Sequence, residues 1–238
     1  MIAAAALTGA TSTSVAKPAS RVDVDLADAI FAVSAELPIA ELTIAAGDPV
    51  AGRVAAAMLW MARLWGDQAG YACLCTGHGG HQDAGGHYAF TSFRQSFHHW
   101  PAGRRTLLRQ AMVAADHVDV YVGVLLRARP QRRAGSALPG QVAWADVDGP
   151  WTTQRAAALS RLAGRPVWQV QSGSGRHVYL PLDEPEPPQR LEGWNRRLGA
   201  LLQADAGWSE TKVLRLPGTY NHKPRTLGRP SVPVAWLA

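Results

Sequence analysis

The sequence has few cysteines, few lysines and no long apolar run, and each shortage excludes a class of protein. Two cysteines in 238 residues exclude a disulfide framework. No apolar run is long enough to span a bilayer, so no membrane partner is expected. The Ala-rich start, residues 1–16, lacks the basic segment of a signal peptide, which predicts a flexible leader on a cytoplasmic protein.

Arginine supplies most of the positive charge. Lysine and arginine together number 24 against 18 acidic residues, and only Lys17, Lys212 and Lys223 are lysines. The planar guanidinium favours bidentate recognition of phosphate or carboxylate. A bias in nucleotide composition also produces arginine, so the net charge of +6 by itself only favours a polyanionic partner.

The hydrophobic pattern predicts an α+β fold, because helical and strand segments follow in mixed order rather than in regular alternation. A flexible arm is expected over 1–25 and a catalytic domain over 26–238, with two lobes that divide near residue 118. Helices are predicted at 26–64, 101–115, 153–162 and 191–201. Strands are predicted at 70–76, 88–93, 119–126, 141–148, 167–171, 177–182 and 213–216, with a Gly/His loop over 78–87 and a basic loop over 127–140.

A pair of acids ends one predicted strand. Asp146 and Asp148 stand two residues apart, so both side chains project from the same face. Two carboxylates this close repel unless cations neutralise them, and hard divalent ions prefer oxygen ligands. The pair is therefore either the start of a two-metal site or a solvated strand end before the turn at Gly149.

Two further motifs follow along the chain. The segment SGSGRH, residues 172–177, lies between two predicted strands, and its glycines allow the backbone to approach a phosphate, although an ordinary glycine turn has the same pattern. The segment VLRLPGTYNHK, residues 213–223, places Arg215, Asn221 and Lys223 around a Pro-Gly turn. Two acids precede it, Asp205 and Glu210.

These three motifs, in this order, resemble the archaeo-eukaryotic primase superfamily, most closely its primase-polymerase and RepB-like primase domains. The resemblance covers residues 119–234. It implies an RRM-like catalytic lobe packed on a smaller α/β lobe with the active site between them. It also implies a DNA primase and polymerase that uses two Mg²⁺ or Mn²⁺ ions, a single-stranded DNA template, a primer strand and dNTP or NTP substrates, in the replication of a mobile element.

The resemblance also assigns residues by position. The implied metal ligands are Asp146, Asp148 and a third acid, for which Asp205 is preferred and Glu210 competes. His177 is the implied triphosphate ligand. The remaining predicted nucleotide-binding residues are Ser172, Gly173, Ser174, Gly175, Arg176, Arg215, Asn221 and Lys223.

Three other patterns have two interpretations each. The arginines of the basic loop either contact a nucleic-acid backbone or form a solvated loop, and they are Arg127, Arg129, Arg132 and Arg133. Aromatic and basic residues over 93–100 fit either a base-stacking platform or the core. Cysteine and histidine at 73, 75, 78 and 81 are all zinc-ligand types, but the spacing is tighter than usual, so zinc is not expected.

Rival functions share parts of this pattern. A gap-filling polymerase of end-joining repair would use the same metal motifs, and a non-catalytic replication initiator would keep the fold for DNA binding alone. A metal-dependent phosphodiesterase would use the acids to degrade DNA. No P-loop is present in the sequence, so any unwinding requires a helicase from elsewhere.

Overall fold

Helices and strands follow one another in the mixed order predicted above. The computed structural model describes residues 49–162 and 166–237. The α-helices of these residues are α1 (Pro49–Trp65), α2 (Arg104–Ala115), α3 (Thr153–Ser160) and α4 (Pro188–Leu202). The strands are β1 (Gly70–Gln82), β2 (Tyr88–Trp100), β3 (Asp119–Gly123), β4 (Gly140–Val147), β5 (Trp168–Gln171), β6 (Arg176–Glu186), β7 (Val213–Arg215), β8 (Tyr220–Asn221), β9 (Val232–Pro233) and β10 (Ala235–Leu237). A 3₁₀ helix, Lys223–Leu227, follows β8.

The strands form two four-stranded antiparallel sheets and a small pair. The order in the first sheet is β2-β1-β3-β7, the order in the second is β10-β5-β6-β4, and β8 pairs with β9. Strands from both sides of residue 118 contribute to the first sheet, because β3 pairs with β1 on one side and with β7 on the other. The division into two lobes at that residue stays a prediction.

Helix α1 joins the cores of the two sheets. One apolar stripe of the helix is buried, at Val54, Met58, Met61 and Trp65. The Trp60 ring meets the Tyr179 ring of β6 edge-on, with centroids 6.0 Å apart. The indole of Trp65 meets Trp100 of β2 at 5.0 Å, so α1 contacts both sheets. The predicted helix start at 26 and the predicted arm lie outside the described residues.

The hairpin β1–β2 is longer than predicted, and the expected Gly/His loop at 78–87 is wrong over its first half. Strand β1 continues to Gln82 and pairs residue by residue with β2. Its glycines permit this pairing, because the rings of β2 lie on the β1 backbone. A Cβ at Gly77 would stand 2.4 Å from the Phe90 ring, and one at Gly80 would stand 2.2 Å from the Tyr88 hydroxyl.

Two element ends position the acids. Strand β4 ends at Val147, so Asp148 is the first residue after it, followed by Gly149 at φ 79°. Helix α4 ends at Leu202, and the next residue, Gln203, adopts a left-handed φ of 52°. This reversal turns the chain back toward β4 and brings Asp205 to it.

Candidate active site

Asp146 and His177 lie directly opposite each other on β4 and β6. Residues paired across antiparallel strands point to the same face, so the two side chains meet. The distance from Asp146 Oδ1 to His177 Nε2 is 3.6 Å. The Tyr179 hydroxyl contacts His177 Nδ1 at 3.3 Å on the other side of the ring. The imidazole is therefore held between an acid and a phenol.

Asp205 and Asp148 complete a group of three acids at the end of β4. The backbone N–H of Asp205 donates to the Asp146 carbonyl at 3.0 Å. Burial, a hydrogen bond to Asp205 and the negative charges of Asp146 and Asp205 raise the pKa of Asp148. Carboxylates this close disfavour each other's charged form unless a cation neutralises them.

Glu210 lies in a different environment from these acids. Its carboxylate accepts a hydrogen bond from the backbone N–H of Gly135, and its carbonyl accepts one from Arg127 Nη2 at 2.7 Å. The structure therefore brings Asp205 to the acid pair and places Glu210 beneath the basic loop.

Lys212 is a member of the site that the sequence reasoning missed. Its Nζ lies 2.7 Å from Asp146 Oδ2. A Cβ at Gly207 would come within 2.9 Å of this nitrogen, so the glycine makes room for the lysine side chain. The signal in the sequence was its position just before Val213, at the start of the third motif.

Near neutral pH, the groups around Asp146 are one uncharged imidazole, that of His177, and the cationic side chains of Lys212 and Arg215. Burial would raise the pKa of Asp146, but the neighbouring His177, Lys212 and Arg215 hold it below its usual value. Burial also lowers the pKa of His177 to about 4, so its imidazole is uncharged near neutral pH. Lys212 therefore provides the nearest positive charge to Asp146.

The predicted glycine loop at 172–175 contacts the predicted Pro-Gly turn. Asn221 Nδ2 donates to the Ser172 carbonyl at 2.8 Å, and Asn221 Oδ1 accepts from the Lys223 backbone N–H at 3.0 Å. Gly173 has a φ of 134°, and a Cβ there would stand 2.2 Å from the Asn221 amide. Only glycine fits this approach, so the second and third motifs form one surface.

One member of the predicted nucleotide-binding set, Arg176, lies away from this surface. Arg176 precedes His177 on β6 and therefore points to the opposite face. Its guanidinium stacks on Trp151 at 4.6 Å and donates to Gln169 at 3.1 Å. Ser174 is exposed at the tip of the loop. The prediction that Arg176 contacts the nucleotide needs correction, because its side chain faces away from the acids.

Arg215 is held by a buried acid that the sequence reasoning also missed. Asp119, only 1% exposed, forms an ion pair with Arg215 across β3 and β7. It accepts further hydrogen bonds from the Tyr88 hydroxyl at 2.5 Å and from the His222 backbone N–H at 3.0 Å. The Arg215 guanidinium lies 4.7 Å from the Tyr121 ring centroid. The signal in the sequence for this contact was an acid, Asp119, at the first position of an apolar strand.

Lys223 adds another positive charge near the acids. Its Nζ lies 6.0 Å from the Tyr88 ring centroid, and its charge acts to lower the pKa of Asp148. Three cationic side chains, Lys212, Arg215 and Lys223, thus lie around the three carboxylates. This combination can hold a polyphosphate whose charge is shared with bound cations.

The basic loop differs from its prediction at one of its four arginines. Arg127 is completely buried, with its side chain directed at Glu210, so it cannot contact a nucleic acid from the surface. Arg132 donates to the Thr211 carbonyl at 3.0 Å and lies 5.9 Å from the Phe93 ring centroid. Arg129 and Arg133 are exposed. Arg127 therefore anchors the loop that presents the other arginines.

The possible zinc ligands divide between two faces of β1. Cys73 and Cys75 are buried with their sulfur atoms 3.6 Å apart, whereas the His78 ring contacts Thr76 on the opposite face. Within residues 49–162 and 166–237, no three His, Cys, Asp or Glu side chains are arranged to hold a metal ion.

The fold is that of an archaeo-eukaryotic primase (AEP) domain. The AEP domain of the cyanophage S-2L primase-polymerase matches with a TM-score of 0.51 and 15% identity, over 70% of this chain and 80% of that one. A weaker likeness is to the primase RepB′, with a TM-score of 0.48 and 14% identity over 72% of this chain and 52% of that one. Another is to the polymerase domain of Mycobacterium tuberculosis ligase D, with a TM-score of 0.40 and 17% identity over 80% of this chain and 83% of that one.

Sequence comparison adds nothing to this likeness. No family model matches the chain, and no curated protein does. The structural match confirms the predicted α+β primase fold, and at this identity the fold is what it establishes. None of the described helices has the length and apolar character needed to cross a membrane.

Proposed function

We propose that the protein is a primase-polymerase, a nucleotidyltransferase that makes primers on single-stranded DNA and extends them. The observation that supports this is the meeting of Asp146, Asp148 and Asp205 beside His177. These residues come from three distant segments, and cationic groups surround them. Acids alone would fit many metal enzymes, but acids beside a phosphate-compatible surface favour transfer of a nucleotide.

The donor set fits two divalent cations such as Mg²⁺ or Mn²⁺. All three side chains offer carboxylate oxygens, which these ions prefer. Burial, followed by its carboxylate neighbours, raises the pKa of Asp148, and a cation would neutralise those neighbours. Asp146 would exchange its contact with Lys212 for an ion. Asp146, Asp148 and Asp205 would hold these ions, which would supply activation of a 3′-hydroxyl and stabilisation of the leaving pyrophosphate.

The residues of the chain bind and orient the nucleotide. His177 is uncharged, and Tyr179 fixes its ring, so it offers a hydrogen bond to a triphosphate oxygen without competing with the cations. The backbone at Ser172 and Gly173 allows close approach of a phosphate. Arg215, which Asp119 holds in place, and Lys223 supply positive charge to the transferred phosphoryl group.

A paired substitution tests this proposal. We expect Asp146→Ala with Asp148→Ala to abolish primer synthesis and primer extension while the thermal unfolding transition remains. The matched control is Asp183→Ala with Glu184→Ala, which removes two exposed acids from the far end of β6. Synthesis on circular single-stranded DNA, with dNTPs and NTPs supplied separately, is the measurement. Retained synthesis in the first variant would refute the proposal.

The same assay separates the rival functions. A gap-filling polymerase would prefer a gapped duplex with a 5′-phosphate and would not start on a bare single strand. A non-catalytic initiator would bind DNA without synthesis in the unsubstituted protein, and a phosphodiesterase would degrade labelled DNA without nucleotides. De novo synthesis on the bare strand supports the primase-polymerase.

A further inference from the structure

A groove separate from the candidate active site lies on the face of the first sheet that packs against α2. The cavity between α2 and the β1–β2 hairpin has a volume of about 680 Å³. Its polar lining includes Thr76, His78, Arg94, Ser96, Arg109 and Gln110. No role in the proposed reaction involves these residues.

The groove and the acids lie on opposite faces of this sheet. Side chains alternate along β1, so Thr76 points away from the face of Cys75. Cys75 pairs with Tyr121, and Tyr121 pairs with Arg215, which places those three residues on the face of the active site. A ligand in the groove is therefore separate from the nucleotide.

The groove has an unbalanced positive charge. The chain between Asp83 and Asp116 contains no acidic residue but contains four arginines. Arg94 and Arg109 are both exposed, and within the described chain neither forms an ion pair or a hydrogen bond through its side chain. Two exposed arginines without a counter-charge attract anions to the groove.

We propose that this groove binds the backbone of single-stranded DNA, outside the active site; this rests on the proposed function, in which that strand is the template. Two arginines from facing walls, Arg94 on β2 and Arg109 on α2, can each contact a phosphate of the same strand.

The groove also connects to the active site. Strand β1, one of its walls, contacts the 3₁₀ helix Lys223–Leu227. The first residue of that helix, Lys223, lies beside the acids. A strand that leaves the acids across this short helix reaches the groove, so a long template contacts both surfaces and a short one contacts only the first.

The test compares two double variants that lose the same charge. Arg94→Gln with Arg109→Gln removes the groove arginines. The control, Arg161→Gln with Arg190→Gln, removes two exposed arginines, the first at the end of α3 and the second on α4. Binding of fluorescent oligothymidylates of about 6 and about 30 nucleotides is measured by anisotropy over a series of salt concentrations. We expect the groove variant to bind the longer strand roughly tenfold more weakly, with a salt slope smaller by about 1.4. The shorter strand and the control variant remain unchanged.

The alternative results each have a definite meaning. Equal affinities in the two double variants would overturn the proposal, and so would an equal loss on both strand lengths or a loss confined to duplex DNA. The binding assay contains no nucleotide, so it is independent of catalysis. If the unsubstituted protein makes no primer but the groove variant loses the longer strand, the proposed function fails and the groove remains a DNA site.

Discussion

Each sheet places an aspartate beside a basic side chain, but the two sites differ in how fully the acids are paired. In the first sheet, Asp119 is buried, and its oxygens accept from Arg215, Tyr88 and the His222 backbone. In the second sheet, Asp148 is exposed and meets another acid, Asp205. A fully paired acid positions its neighbours, whereas an under-neutralised acid is available to a cation.

The difference separates two roles that look identical in the sequence. Both acids stand at the end of an apolar strand segment. Asp119 holds Arg215 and the chain after β8, so its effect on chemistry passes through stability and orientation. Asp148 adds no such support. The comparison predicts that substitutions at the two sites affect opposite properties.

The largest expected effect comes from breaking the paired site. Asp119→Ala leaves Arg215 buried without its partner and removes the acceptor of two other hydrogen bonds. We expect the free energy of unfolding to fall by about 3–5 kcal/mol, measured by urea denaturation. Asp148→Asn, in contrast, removes charge repulsion and should leave the unfolding free energy unchanged or higher while synthesis falls by at least about 100-fold. A comparable loss of stability in both variants would remove the distinction.

A smaller effect is expected from pH, and it sharpens the comparison within the second sheet. The pKa of His177 is lowered to about 4 in the folded protein, so between pH about 6.5 and 4 the unfolded chain binds a proton that the folded chain does not. Stability therefore falls as the pH falls through this window. His222 and His98, whose pKa values burial also lowers, contribute in the same direction.

The His177 contribution is isolated by subtraction. In His177→Phe, measured without divalent ions, we expect a shallower fall in unfolding free energy across this window than in the unsubstituted protein. His117→Phe, which replaces an exposed histidine, provides the matched control. Identical pH profiles for His177→Phe and the unsubstituted protein would contradict the placement of a neutral imidazole opposite Asp146.

The smallest expected effect concerns the lysine that pairs with Asp146. In Lys212→Met, a cation no longer competes with the Nζ, so we expect Mn²⁺ to bind about tenfold more tightly, the equivalent of one pKa unit. Titration calorimetry measures the affinity directly. Lys212→Arg keeps the charge and should bind Mn²⁺ like the unsubstituted protein. Weaker binding in Lys212→Met would show that the lysine supports the ion site rather than competing for it.

Much of this arrangement could be predicted from motifs at strand ends. Asp146, Asp148 and His177 meet because their strands pair, and the segment around Asn221 lies against the loop at Ser172. The contacts of Asp119 and Lys212 could not be predicted, since they depend on which distant strands become neighbours. Arg127 illustrates the opposite difficulty. Its basic surroundings predict a surface residue, but the Glu210 carbonyl binds it in the interior.

The pairing of β3 with β7 has a consequence for the order of events during translation. Arg215 leaves the ribosome long after Asp119, and until then the first sheet lacks an edge strand and an acid destined for the interior has no counter-charge. Domains generally fold as units as the chain emerges. The first sheet and the ion pair of Asp119 can therefore be completed only after residue 215 has been synthesised.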